Sequence, residues 1–318
     1  MFRNQPKLDD FNPPKSLRWH EDGQRSFNVP LYAHFMREDI GSFIMPISKN
    51  YSSRQESFAA RFNGSEVEVE RLRTLVSEIP QHQDYDECDF ICDVVNAVGQ
   101  SLSYEGFALF ERRYKKDTTR IQDCLLYAIY PRRVFRIPGG CIQIPPRNAL
   151  PEMSRRRWVY LSNKDIWRVE MPQKLGGCTN YRRTLSAVAR IGDGMSDYSD
   201  PEDLKLNRLS GFDFNVRQQA VKKYRAALTK TFGYGFRDTD SECMTECYFV
   251  YRHITLAWAK AVIRCHIIDE INQLACRLGI LARIDVEGLL GPEEIIDVRQ
   301  KAISGEMPLV EAFEAIRV

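Results

Sequence analysis

Residues 89–114, DFICDVVNAVGQSLSYEGFALFERRY, change their hydrophobic period at a single glycine. Before Gly106, the apolar residues Phe90, Ile91, Val94, Val95 and Val98 recur at helical spacing. Acidic residues crowd the first turns, where the helix dipole favours negative charge. After Gly106, Phe107 to Tyr114 alternates as a strand does. A helix that hands over to a strand at a glycine, with further strands rather than another helix behind it, points to α+β and away from a βαβ repeat.

The reading extends outward from there. Cys124–Tyr130, Val134–Ile137, Trp158–Leu161 and Ile166–Val169 are short apolar runs. Gly139-Gly140 between VFRIP and CIQIP has the form of a hairpin turn, and Ser162-Asn163-Lys164-Asp165 that of another. The span 107–170 is therefore expected to be a mostly antiparallel β-meander that follows helices. Upstream, the stretch from Pro30 carries Leu31, Phe35, Ile40, Phe43 and Ile44 at roughly helical spacing until Pro46 breaks it, and Val67–Ile79 reads as a second helix. Residues 1–30, rich in Pro, Asn and charge, read as an extended arm of the kind that packs onto a neighbour.

Downstream, Thr179–Ile191 has a helical pattern. Residues 192–214 form a polar stretch with the composition of a loop or linker. Asn215–Lys230 reads as a helix with Val216, Ala220, Tyr224, Ala227 and Leu228 on one face. Glu242–Leu278 holds neither Gly nor Pro, so one helix of about 37 residues and roughly 55 Å is expected. Apolar residues lie on more than one face of it, which predicts cover by neighbouring subunits. Pro292 and Pro308 stand at first helical positions of two closing helices, separated by Gly305. The domain reading is thus an arm (1–30), an α+β domain with a basic β region (31–191), a linker (192–214) and a helical region (215–318).

With 318 residues, 43% apolar content and a net charge of +2, the chain is excluded from the disordered, coiled-coil and disulfide-dense secreted classes. The apolar neighbourhood 248–280 is interrupted by Arg252, Lys260, Arg264, Asp269 and Glu270, so no membrane span is expected. MFRNQPKLDDFNPPK has no apolar h-region, so no secretory leader is expected. Nine scattered cysteines read as reduced thiols.

The small net charge conceals an uneven distribution. Residues 101–190 carry 18 Lys+Arg and 7 Asp+Glu, a net of +11, whereas 61–100 carry −6 and 265–318 carry −5. The cations cluster as Arg112-Arg113 with Lys115-Lys116, Arg132-Arg133, Arg155-Arg156-Arg157 and Arg182-Arg183, with Lys222-Lys223 further on. These are the candidate contact residues for a polyanion or for acidic neighbours in an assembly. A face neutralised by the acidic segments of the same chain is the plainer alternative.

No phosphate-cradling glycine loop, GxSxG elbow or HExxH occurs. Cys88/Cys92 and Cys243/Cys247 have i, i+4 spacing on helical patterns. That favours core packing over a four-thiolate zinc site. His253 and His266 are thirteen residues apart on one helical pattern and cannot share a site in one subunit. Asp197, Asp200, Glu202 and Asp203 read as a solvated loop. No catalytic, cofactor or metal site is expected, and the balance favours a structural or binding protein over an enzyme.

The order of elements resembles that of tailed-bacteriophage portal proteins. LYAHFMREDIGSFIMPISKNY (31–51), DFICDVVNAVGQSLSYEGFALFERRY, LLYAIYPRRVFRI (125–137) and WVYLSNKDIWRVEMPQKLGG (158–177) follow the portal sequence of helix, helix–Gly–strand and β-meander. Asp269-Glu270-Ile271-Asn272 on the long helix and the close SGEMPLVEAFEAI (304–316) are similar to late portal elements. Portals are commonly longer, and 192–247 is short for stem, clip and tunnel loop together. The resemblance implies a wing-like α+β region, a stem- or crown-like helical region, and a ring-forming homo-oligomer, typically a dodecamer, in the virion. Its implied partners are the major capsid protein, the terminase, neck or tail proteins, and double-stranded DNA in the channel. It implies no cofactor and no membrane. A nucleic-acid-binding or regulatory protein that uses residues 101–190 directly is the alternative. A Cys- or metal-dependent enzyme is a third reading.

Overall fold

In this computed structural model, residues 10–16, 31–46, 58–80, 86–116, 123–129, 134–144, 158–196, 219, 223–234 and 245–316 are described. Seven helices are named here: α1 (Leu31–Gly41), α2 (Glu66–Val76), α3 (Glu87–Glu105), α4 (Gly177–Ser196), α5 (Glu246–Arg277), α6 (Pro292–Ser304) and α7 (Leu309–Ile316). The strands are β1 (Ala59–Asn63), β2 (Phe107–Tyr114), β3 (Cys124–Ile129), β4 (Val134–Ile137), β5 (Gly140–Gln143), β6 (Val159–Ser162), β7 (Ile166–Glu170) and β8 (Arg283–Glu287). Helices and antiparallel sheets are mixed, as α+β requires.

The chain forms two compact units that interleave in sequence. One comprises residues 1–27, 43–170 and 264–289, the other residues 28–42, 171–263 and 290–318. This differs from the linear reading, which put 31–191 in one domain and 215–318 in another.

In the first unit, α3 begins where Asp86 accepts a hydrogen bond from the Asp89 N–H and ends at Gly106 with φ 76°. A left-handed residue there stops the helix without a Cβ penalty, so β2 can start at the next residue. The expected single meander is instead two three-stranded sheets, β3-β2-β7 and β4-β5-β6. The chain passes through the second sheet and returns β7 to β2, with Phe107 opposite Glu170 and Phe110 opposite Trp167. Apolar runs on β2 and β3 give burial on both faces, and a β2–β7 pairing encloses that core. Strands β1 and β8 were not legible as strands; they pair antiparallel, with Ala59 opposite Glu287.

Residues 10–16 dock on the first unit itself. Phe11 bridges to Lys115, and the Asn12 N–H donates to the Tyr114 carbonyl at 3.0 Å. The buried Glu111 carboxylate accepts from the Ser16 hydroxyl at 2.5 Å and from the Ser16 and Lys15 N–H groups. The rest of the expected arm lies outside the described residues.

In the second unit, α1 stops at Gly41 rather than at Pro46. The Ser42 hydroxyl donates to the Glu38 carbonyl, and Phe43 takes φ 53°, which leaves the helical path. Ala33, Met36 and Ile40 form the buried side of α1, while Phe43 is exposed. Helix α4 packs on α1 and runs through residue 196, five residues into the stretch read as linker; residues 197–214 lie outside the described residues. Tyr181 of α4 meets Phe232 edge-to-face at 5.4 Å. Residues 223–228 are helical, but Tyr224 and Ala227 face solvent and Arg225 is buried, the reverse of the expected face. The buried Arg225 guanidinium lies 3.7 Å from the Tyr32 ring centroid.

The long helix is 32 residues, shorter at both ends than the sequence reading. Most of its apolar residues do not wait for other subunits, although Tyr248 and Phe249 in its first turn are exposed. Ile254, Ala259, Ala261, Val262 and Ile263, and further on Ile267, Ile271, Leu274 and Ala275, are all buried within the single chain. The first part belongs to the second unit, where Val250, Ile254 and Ala261 pack with Ile295 and Val298 of α6 and Ala312 of α7. The last part belongs to the first unit. One helix with two sets of neighbours needs several apolar faces, so the buried faces from Val250 onward do not call for cover by other subunits.

Candidate assembly and nucleic-acid interface

The described basic residues divide between the two units. Arg113 is buried on β2, donates from Nε to the Asn12 carbonyl at 2.7 Å and lies 5.7 Å from the Tyr127 ring, so it holds residues 10–16 in place. Arg112, half-buried, reaches the Lys164 carbonyl at 3.4 Å. Lys115 and Lys116 follow β2 and are exposed. Arg182 and Arg183 are exposed on α4 in the second unit, and Lys223 is exposed on the 223–228 helix of that unit. Arg132, Arg133, Arg155, Arg156, Arg157 and Lys222 lie outside the described residues, as do the acidic residues at 197, 200, 202 and 203.

A different feature of the first unit stands out. Registers in β4-β5-β6 place Phe135 opposite Ile142, and Ile142 opposite Tyr160. Directly opposed residues share a sheet face. Ile144 and Trp158, two residues beyond Ile142 and before Tyr160, continue the same alternation. Four of these five are exposed in earnest: Phe135 54%, Ile144 41%, Trp158 60% and Tyr160 44%. The opposite face carries the buried Cys141, Gln143, Val159 and Leu161. Antiparallel sheets with one solvated face normally carry polar residues there; this one carries three aromatics and two isoleucines. The Tyr160 hydroxyl donates to the Gly139 carbonyl at 3.1 Å, which holds its ring across the hairpin turn. The two strands flanking the face are entered from arginine-rich sequence: Arg133 is the residue before Val134, and Arg157 the residue before Trp158.

Two asparagines do structural work that the sequence reading missed. Asn96 of α3 accepts from the Met45 N–H at 2.9 Å and donates to the Met45 carbonyl at 3.2 Å. Asn272 of α5 makes the same two bonds to Ile284 of β8, at 2.8 and 3.0 Å. The resemblance had picked out Asn272; its place in the fold is as a clamp on the strand. Asn96, set among Val94, Val95, Ala97 and Val98, was the legible signal, because its amide favours bonding to backbone groups.

Most of the candidate chemical groups are taken up by packing, but Cys247, expected in the core, is exposed. His266 Nε2 lies 2.9 Å from the Glu170 carbonyl, and His253 Nδ1 lies 3.0 Å from the Phe249 carbonyl with its ring against Phe313. Burial pushes the Cys92 thiol up, with neighbouring Cys88 adding to the effect, and raises Cys124 and Cys141 to about 11. Such thiols are poor nucleophiles and ligands at neutral pH. Cys243 lies outside the described residues. Among those described, no group of three or more His, Cys, Asp or Glu is placed to hold a metal, and no helix is long and apolar enough to cross a membrane. Lys260 of α5 is half-buried in the second unit, and its Nζ donates to the Ser42 carbonyl at 2.8 Å. Burial lowers its pKa to about 8, with Asp39 opposing the shift.

The chain matches no model of a known protein family and no curated protein sequence.

Proposed function

We propose that this chain is the subunit of a portal-type ring, a non-enzymatic structural protein of a virion that assembles as a homo-oligomer at a capsid vertex. In this reading the ring conducts double-stranded DNA during packaging and ejection. It docks the terminase during packaging and neck or tail proteins afterwards, and it contacts the major capsid protein. The expected stoichiometry is a dodecamer, assembled in a host cytoplasm.

One observation carries the assembly part of the proposal: the aromatic face of β4-β5-β6, with Phe135 and Trp158 more than half exposed. Contiguous apolar surface on a folded protein marks an interaction site, and a ring subunit needs two complementary patches of this kind on different parts of its surface. The specific identity as a portal rests on the order of elements: helix, Gly-terminated helix, antiparallel strands, long helix and two short closing helices. A near-neutral net charge suits a channel through which DNA must slide, since tight phosphate binding would hold it.

Sedimentation and negative-stain imaging of the purified chain, alongside a Phe135→Thr, Trp158→Ser double variant, test this reading. The expected result is a closed ring for the natural sequence and a shift to single chains that keep the folded circular dichroism spectrum for the variant. A natural chain that stays monomeric at micromolar concentration overturns it. The second reading, a nucleic-acid binder, is favoured by the exposed Lys115, Lys116, Arg182 and Arg183. It predicts a monomer or dimer whose DNA affinity falls steeply with salt.

A further inference from the structure

The second unit contains a cleft of about 300 Å³ with two helical walls. Lys223, Ala226, Ala227 and Lys230 form one wall; Tyr248, Tyr251, Arg252 and Thr255 of α5 form the other. Each set has i, i+3, i+4, i+7 spacing, so each is a single stripe along its helix or the turn that continues it. The walls come together at Gly233, which has φ 62°. A Cβ there would sit 2.5 Å from the Arg252 carbonyl oxygen and 2.6 Å from the Leu256 nitrogen. Only glycine permits this approach. The cleft is left where two alanines, too small to fill it, face two tyrosines.

Its chemistry is one-sided. Three cations line it, and none of its described lining residues carries a carboxylate. The Arg252 guanidinium lies 5.6 Å from the centroid of the Tyr248 ring, and that ring is 40% exposed. A flat cation beside a partly exposed ring is the pairing on which a second planar group stacks. Lys223 and Lys230 are exposed on the facing wall and supply point charges for an anion. The volume lies at the small end of ligand sites, enough for one planar ring with a short charged appendage.

We propose that this cleft binds a nucleoside monophosphate, either free or as the 5′-phosphorylated end of a single strand. The base stacks on Tyr248, and the phosphate lies between Lys223, Lys230 and Arg252. The assignment does not depend on ring assembly.

Titration calorimetry on the full chain tests it with four probes: AMP, adenosine, inorganic phosphate, and oligothymidylate with or without a 5′-phosphate. AMP is expected to bind at least tenfold more tightly than adenosine or phosphate. Lys230→Gln and Tyr248→Leu, both at exposed positions, are each expected to weaken AMP at least fivefold with the melting temperature unchanged. A 5′-phosphorylated oligonucleotide that outbinds AMP identifies the strand end as the occupant; AMP binding at least as tightly identifies the free nucleotide. The proposal is overturned if AMP binds no better than adenosine or phosphate, if both variants retain wild-type affinity, or if the oligonucleotide outbinds AMP equally with and without its terminal phosphate.

Discussion

The two three-stranded sheets of the first unit are close in size and both antiparallel, yet they use their faces differently. In β3-β2-β7 the central strand is buried along nearly its whole length, and the Phe110 ring packs at a tilt against Trp167 with ring centroids 5.0 Å apart. In β4-β5-β6 one face is buried and the other exposes aromatics. The first sheet is therefore a component of the core. The second is half core and half surface, and its surface half has the composition of an interior. Apolar content alone does not separate the two; what separates them is whether the chain supplies something to cover each face.

The largest expected effect lies in the first sheet. Phe110→Ala removes a ring that is 1% exposed, and it should cost about 3–5 kcal/mol in chemical unfolding. A loss below about 1 kcal/mol would show that this sheet is not the core. Gly140→Val strikes the second sheet. A Cβ at Gly140 would lie 2.1 Å from the Leu161 carbonyl oxygen, so β5 and β6 must part. The cost should be about 1–3 kcal/mol, and iodoacetamide should then label Cys141 of β5 but still not Cys124 of β3. Equal labelling of both thiols would mean that the sheets open as one.

A smaller effect comes from pH. Cys124 and Cys141, one in each sheet, have folded-state values near 11 against an ordinary 9.0, raised by burial. Between pH 9 and 11 the unfolded chain therefore releases thiol protons that the folded chain keeps. The stabilisation is intact below pH 9 and is lost as pH rises towards 11. Replacing either cysteine by alanine should flatten this alkaline decline by on the order of 1 kcal/mol, read as the difference between variant and natural chain. Least of all, Phe135→Thr with Trp158→Ser should change the stability of a single chain by only about 0.5 kcal/mol, as exposed positions do. A loss of several kcal/mol would show that the face is covered from within the chain.

Much of the local structure was legible. Gly106 marks a boundary because its neighbours on either side have different periods, and the Gly139-Gly140 hairpin and the Pro292 helix start carry their own turn chemistry. Strands β1 and β8 were not legible. AARFN and RIDVE are short and mixed in polarity, and each is a strand because the other lies beside it, aided by the Arg61–Glu287 ion pair and by Asn272 on the outer edge of β8. Among the candidate contact residues, charge clustering located cations correctly as a composition but could not show that Arg113 points inward. The cleft at Gly233 was missed for the same reason: its two stripes are separated in sequence, and each alone resembles an ordinary helix face.

The sequence by itself determined the α+β class, most helix and strand positions, and the concentration of positive charge in 101–190. These are properties of residues adjacent along the chain, where periodicity and backbone preference act. Tertiary structure alone decided that β7 returns to β2, that α5 is covered by its own chain, and that the aromatic face of β4-β5-β6 is left open. Those outcomes depend on which distant segments meet, and a side chain's solvent exposure is a property of its neighbours in space.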